Sequence, residues 1–262
     1  MKKIIALLMA LALMLCFAGC GEKAQILVAE KESAGETVAT TEEEFKDCTY
    51  TAVDTQAKAL MEVSAGTADA AIVDYVMSIG SIGKGTDYED LVIDGDGYSE
   101  EQYGIAFRKG SDLTAKVNEI IRELVASGEL KTIATTYKLQ DILLGTKESA
   151  AFTKSETDSD YDYVMNKGEL VIGITYFAPM NYTNDQGELV GFETEFAKAV
   201  CAKLGVKAKF QEISWAAKET ELAAKNIDCI WNGMTITAER EANMSVSIPY
   251  MQNKQVKVVK AK

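Results

Sequence analysis

Three residues in the stretch WNGMTITAER, namely Gly233, Thr235 and Arg240, are of types that can hold an anion. Ile227 to Trp231 just before them reads as a short buried strand, and Thr237 followed by Ala-Glu-Arg reads as an N-cap opening a helix. A bend between the two exposes backbone N–H groups near Gly233, beside the Thr235 hydroxyl and the Arg240 guanidinium. These donors have no matching acceptor. A carboxylate only accepts hydrogen bonds and suits a planar, permanently charged fork, so the natural guest is a small anion such as an amino-acid carboxylate. The competing reading is a strand end with a capped helix, in which Arg240 pairs with Glu239 or Glu241.

Two further positions carry usable chemistry. Asp74 stands at the C-terminal end of the buried run DAAIV, where ligands gather in α/β layers, and it serves equally well as the N-cap of the following YVMSIG segment. Ser33-Ala34-Gly35 forms a small-residue turn ahead of an acidic helix start, a turn that presents N–H groups to an anion or simply joins strand to helix.

The elements that must position these residues alternate between periods of two and of 3.6. Strands are expected at Ile26–Ala29, Thr49–Val53, Asp69–Val73, Leu91–Ile93 and Tyr103–Arg108, with a helix at Gln56–Ala65 closed by Gly66. Asp94-Gly-Asp96-Gly97 lacks most ligand positions of a calcium loop and reads as a turn. Leu113–Tyr137 is expected to be mostly one amphipathic helix, with Val117, Ile120, Ile121, Leu124 and Val125 at core spacing. Residues 145–160, GTKESAAFTKSETDSD, are polar and aperiodic and read as a linker. The rhythm then restarts with strands at Leu170–Ile174 and Ala208–Ile213, helices at Phe192–Leu204 and Thr220–Lys225, and a last strand at Val256–Val259.

Composition sets the surroundings. A chain of 262 residues with 47% hydrophobic content supports one large domain or two modest ones. Residues 1–19 have the pattern of a lipoprotein signal peptide: Lys2 and Lys3, an apolar run from Ile4 to Phe17, then Ala-Gly before Cys20, the expected lipidated residue. One such cysteine anchors a folded body to the outer face of a bacterial cell membrane. Without residues 1–19 the chain keeps 25 basic against 40 acidic residues, a balance that disfavours nucleic acid. No histidine occurs, and Cys48, Cys201 and Cys229 lie far apart with no CxxC spacing. Histidine-based triads are thereby excluded, no metal or cofactor is expected, and the cysteines read as buried apolar residues, with a Cys201–Cys229 disulfide left open.

The segment KGELVIGITYFAPMNYTNDQGELVGFETEFAKAVCAKLG, with Trp215 and then IDCIWNGMTITAEREANMSVSIPY, resembles the N-terminal half of the extracellular polar amino-acid binding proteins (solute-binding protein family 3) of ABC importers. ILVAEKESAGE, GTADAAIVDYVMS, YGIAFRKGSDL and ELVASGELKTIATTYKL resemble the C-terminal half of the same family. The resemblance implies the type II periplasmic-binding-protein fold, two α/β lobes around a ligand cleft, here in circularly permuted order. It implies a small lobe at 24–103, a large lobe at 104–144 and 161–262, a linker at 145–160 joining the permuted halves, and one covalent crossover near Tyr103 to Phe107. It also implies that Gly233, Thr235 and Arg240 grip a ligand α-carboxylate, that the turn of Ser33 and Ala34 completes the grip, and that Asp74 holds the α-ammonium. Phe177 and Trp215 would cover the ligand side chain. Glu32 stands where the family often has Gly. Apart from Glu32 and Glu193, no residue matches a reader of a charged side chain, which points to a neutral polar, glutamine-like ligand. The implied function is a lipid-anchored receptor, not an enzyme, that closes on an L-amino acid and delivers it to an ABC permease. A dehydratase-like enzyme on the same scaffold, with Glu32 as a loose acid–base candidate, and a sensing lipoprotein without transport are the other readings. A monomer is expected, with a lobe-swapped dimer as the alternative assembly.

Overall fold

The computed structural model describes residues 24–98, 100–146 and 148–262. The signal peptide and Cys20 lie outside them.

Two mixed sheets share one design. In the first, β1 (Ile26–Glu30) lies parallel between β2 (Thr49–Val53) and β3 (Ala70–Asp74). Beyond β3 the order passes through the last strand of the chain to β4 (Leu91–Asp94). Next in sequence come β5 (Glu100–Tyr103) and β6 (Ala106–Arg108), with which the second lobe begins, and then β7 (Glu169–Ile174). A two-stranded ribbon, β8 (Tyr182–Thr183) and β9 (Leu189–Val190), precedes β10 (Lys207–Glu212), β11 (Cys229–Ile230), β12 (Met244–Val246) and β13 (Met251–Lys260). The second sheet runs β10-β7-β11-β6-β12, so β6 occupies there the place β13 takes in the order β2-β1-β3-β13-β4. Both intruding strands run antiparallel to their neighbours, β13 against β3 and β4, and β6 against β11 and β12.

This arrangement corrects the expected division of the chain. Residues 161–262 do not all belong to the large lobe, because Gln255–Lys260 fill the gap between β3 and β4 of the small-lobe sheet. The lobes are therefore joined by two covalent crossovers instead of one: Gly104–Ile105 between β5 and β6, and 247–250 between β12 and β13. The physical reason lies in the alternation of β13, whose Val256 and Val258 are buried and supply the apolar face the sheet lacks without them. The two crossing strands pair with each other, Met251–Lys254 against Glu100–Tyr103, and Leu144 N–H donates to Tyr250 O at 2.9 Å alongside them.

Local signals explain the helices. Thr55 caps Gln56–Ala65 by accepting from Lys58 N–H, and Gly66 ends that helix at φ 73°. The expected long helix at 113–137 is two helices, Leu113–Ala126 and Glu129–Thr136, because Gly128 turns the backbone to φ 77°. Likewise Tyr103–Arg108 is two strands, broken where Gly104 packs so closely on Val246 that a Cβ would lie 2.7 Å from its Cγ1. Cys48, Cys201 and Cys229 are free thiols, the last two buried.

The segment 145–160 carries no regular structure among its described residues until a helix starts at Asp160, yet it is tied down. Asp112 accepts from Ser155 N–H at 3.0 Å, Ser159 Oγ at 2.6 Å and Tyr161 N–H at 3.0 Å. Burial raises the Asp112 carboxyl, but these donors outweigh it and leave it below the usual range. Asp112→Ala is expected to speed proteolytic cutting within 148–159 under limited digestion. The cut halves should still elute together until denatured, since each sheet holds a strand from the other half; unchanged cutting, or separation of the halves in native buffer, would contradict this account.

Candidate functional site

Thr237 caps the helix Ala238–Asn243 by accepting from Arg240 N–H, and this fixes where the Arg240 side chain starts. The guanidinium is buried at 9% exposure. Its Nη1 donates to Thr235 O at 2.7 Å and its Nη2 to Glu32 O at 3.3 Å, the latter across the cleft in the other lobe. The fork thus binds backbone carbonyls and does not pair with Glu239 or Glu241, and it retains donors for an anion. Lys218 Nζ donates to the same Glu32 carbonyl at 3.3 Å. Both cations lie against the Trp215 ring, Lys218 at 4.9 Å and Arg240 at 5.9 Å from its centroid. Glu32 offers its carbonyl from a left-handed conformation, φ 61°, a strained backbone for a residue with a Cβ.

Asp74 precedes the helix Tyr75–Ser81 without capping it by its side chain. Its carboxylate instead accepts from the amides of Gln56, Asn253 and Gln255, the last at 2.7 Å. Asn253 and Gln255 also donate to Glu101 Oε2, each at 3.0 Å, and Thr235 Oγ1 donates to the same oxygen at 3.0 Å. Burial pushes Asp74 above its ordinary range against these hydrogen bonds, and burial followed by the neighbouring Asp74 pushes Glu101 up as well.

A narrow cavity between the lobes, with about 10 Å³ of free space, is lined by Ser33, Ala34, Asp74, Trp215, Gly233, Thr235 and Arg240, with Glu30, Gln56 and Asn232 beside them. Seven of the eight positions expected from the sequence are thus gathered in one place. Phe177, the eighth, packs behind the cavity on Gly233, where a Cβ would lie 2.7 Å from the Phe177 Cζ. Three expected donors are already engaged, the Thr235 hydroxyl by Glu101 among them. Ser33 Oγ donates to Glu30 O at 2.7 Å and accepts from Glu36 N–H as a helix cap. Gly233 N–H donates to Glu193 Oε1 at 2.8 Å, so the anion grip lacks that donor.

Glu193 is accordingly a brace, not a reader of ligand charge. It is fully buried, accepts also from Asn181 Nδ2 at 2.9 Å and from the Tyr250 hydroxyl, and is pushed up to about 7 by burial. Trp231 is likewise core, edge-on to Phe196 at 4.9 Å. Glu30, Gln56, Lys218, Glu101, Asn253 and Gln255 had not been singled out in the sequence. Lys218 had a signal, standing three residues after Trp215, and the amides of β13 had one in their period of two at buried positions.

Burial, and next the nearby Asp74 charge, pushes Glu30 up to about 8, against the pull of Lys218. For Glu30 and Glu193 the folded state therefore holds protons that the unfolded chain loses near 4.5. Between pH 4.5 and about 8 the folded form binds more protons, so stability falls as pH rises through that window and levels off above it. The melting temperature of the ligand-free protein should be lower at pH 8 than at pH 5, by roughly 2–4 °C for each kcal/mol lost. A melting temperature that climbs from pH 5 to pH 8 would overturn the assignment.

Residues 170–262 match the family model described as bacterial extracellular solute-binding proteins, family 3. Curated relatives include the L-cystine-binding protein TcyJ of Escherichia coli (strain K12), 35% identical over 88 residues, with 33% of each chain covered. The histidine-binding periplasmic protein of the same strain is 36% identical over 69 residues, 26% of each chain. The octopine-binding periplasmic protein of Rhizobium meliloti is 35% identical over 74 residues, covering 28% of this chain and 25% of its own. The chain thus spans a quarter to a third of the length of these relatives. Among solved structures, the Ancestral Cationic Amino Acid Solute Binding Protein (AncCDT-1) is 33% identical, covering 32% of this chain and 37% of its own with a TM-score of 0.31.

Proposed function

From the match of residues 170–262 to the model of bacterial extracellular solute-binding proteins, family 3, we propose that the protein is a member of that family which captures an L-amino acid by closing its two lobes and delivers it to an ABC permease. The observation that carries the reading is the buried Arg240 fork beside Thr235, facing the amide-held Asp74 across one small cavity. The Arg240 fork takes the α-carboxylate, joined by the Thr235 hydroxyl once it turns away from Glu101, Asp74 takes the α-ammonium, and Trp215 lies along the ligand stem. Only about 10 Å³ of free space remains between these side chains, room for about one water, so an amino acid enters after the lobes part.

Closure follows from the same contacts. Arg240 and Lys218 of the large lobe reach Glu32 O of the small lobe, so a ligand held by Arg240 and Asp74 adds its own bridge to one already present. Two crossing strands provide the hinge. The protein acts as a binding protein and not as an enzyme, it is anchored at Cys20 to the outer face of the membrane, and it is monomeric. The chain order is a circular permutant of the family arrangement with its join in 145–160, a reading supported by the intrusion of β13 into the sheet built by the first strands.

Calorimetric titration of the protein with each L-amino acid is the direct test. Saturable binding of at least one, accompanied by compaction in solution scattering, is expected; none at millimolar ligand would sink the reading.

A further inference from the structure

Glu30 ends β1 with its side chain turned into the cavity, only 4% exposed, and its Oε1 has no hydrogen-bond partner among the described residues. The two carboxylates beside it are already held. Asp74 is held by three amides, and Glu101 by Thr235, Asn253 and Gln255. A buried carboxyl oxygen left without a donor is costly, and such groups are normally satisfied by protein, water or ligand. We propose that Glu30 selects the ligand's side chain, and that the side chain it selects is cationic, making the solute a basic L-amino acid. This rests on the amino-acid reading of the site.

The charge balance favours a cation over an amide. Once Arg240 is matched by the α-carboxylate and Asp74 by the α-ammonium, Glu30 is the remaining ionisable group lining the cavity. A positive side chain pairs with its ionised form, whereas a neutral one leaves it as the protonated acid with Oε1 still to be satisfied. The mouth outside the cavity points the same way. Glu32, Glu36, Glu42, Glu101, Glu219 and Glu239 line it against only Lys218 and Arg240. Both of those cations already engage the Glu32 carbonyl, so the approach is acidic and steers cationic solutes inward. The proposed ligand is thus basic where the sequence pointed to a glutamine-like one.

The groups that face Glu30 are Asp74 from β3, Gln56 from the helix at 56–65, Arg240, and Lys218 from its own short helix. In the empty site Asp74 and burial favour the protonated acid against Lys218. An entering cation reverses that preference, so binding of a basic amino acid near pH 7 should release a proton that binding of glutamine does not.

The experiment is calorimetry of the full-length protein with L-arginine, L-lysine and L-glutamine, in phosphate and in Tris at pH 7, repeated on the near-isosteric Glu30→Gln. Arginine or lysine should bind at least about tenfold tighter than glutamine, and only the basic ligand should show a buffer-dependent enthalpy. Glu30→Gln should weaken the basic ligand about 10–100-fold and change glutamine by less than about threefold. Tighter binding of glutamine by the wild type, equal weakening of both ligands, or equal proton release would overturn the role of Glu30. Saturable glutamine binding lost in Arg240→Ala would then leave the amino-acid receptor standing, whereas no saturable binding of any amino acid would remove both. The proton release is measured on the wild type and stands even if the variant fails to fold.

Discussion

Arg240→Ala is expected to weaken amino-acid binding by about 2–5 kcal/mol, the range for truncating one partner of a buried charge pair, or roughly 30- to 4,000-fold in Kd. Three features set this size. The guanidinium is buried, it lies over Trp215, and its two carbonyl contacts fix its plane toward the cavity. Burial lowers its proton affinity, yet Asp74 and Glu101 nearby favour the charged form, so it stays a cation. Arg240→Lys keeps the charge but loses the planar fork, and should fall between wild type and Ala. The Ala variant also removes a donor from the Glu32 carbonyl, so its melting temperature without ligand must be compared first. Affinity unchanged in a folded Ala variant would remove Arg240 from the site, and with it the carboxylate grip.

The parts of this site that were readable in the sequence are those made by short-range signals. Thr237 capping Arg240 spans three residues, and Asp74 follows directly on a run of buried apolar positions. What could not be read there is what holds Asp74. Gln255 reaches it across 181 positions and Asn253 across 179; their period of two marks them as buried but does not name the partner. Glu30 escaped for a different reason. It extends the strand expected at Ile26–Ala29 by one residue, and that residue decides whether a carboxylate faces solvent or the cleft. Gly233 was readable as part of a bend, but its positive φ, the close approach of Phe177 and the partner for its N–H, Glu193 forty residues away, were not. The helix Phe192–Leu204 was legible throughout, since Gly205 ends it and its buried positions repeat at helical spacing.

Val258→Asp should unfold the chain as a whole, and it tests the topology as Arg240→Ala tests the site. Val258 is 0% exposed, pairs with Ala71 of β3 on one side and with Ile93 of β4 on the other, and belongs to the main hydrophobic core. A carboxylate placed there loses its water without a counter-charge, a cost of several kcal/mol or more, against a total stability of only about 5–15 kcal/mol. The loss should not stay in one lobe. Strand β13 continues through the hinge pairing with β5, and Met251 at its start packs in the same core as Phe196 and Tyr250 of the large lobe. Loss of the small-lobe sheet therefore also frees Asn253 and Gln255 from Asp74 and Glu101. The neighbouring Lys257→Ala is the control, since Lys257 points to the other face, 20% exposed, and pairs with Glu44 at 2.6 Å and Asp94 at 2.9 Å. Removing such a partly exposed pair should cost no more than about 1 kcal/mol. Circular dichroism melts of the two variants separate these outcomes. A Val258→Asp protein that melts like Lys257→Ala would mean that β13 does not fill the centre of the small-lobe sheet, and the two-crossover architecture would have to be abandoned.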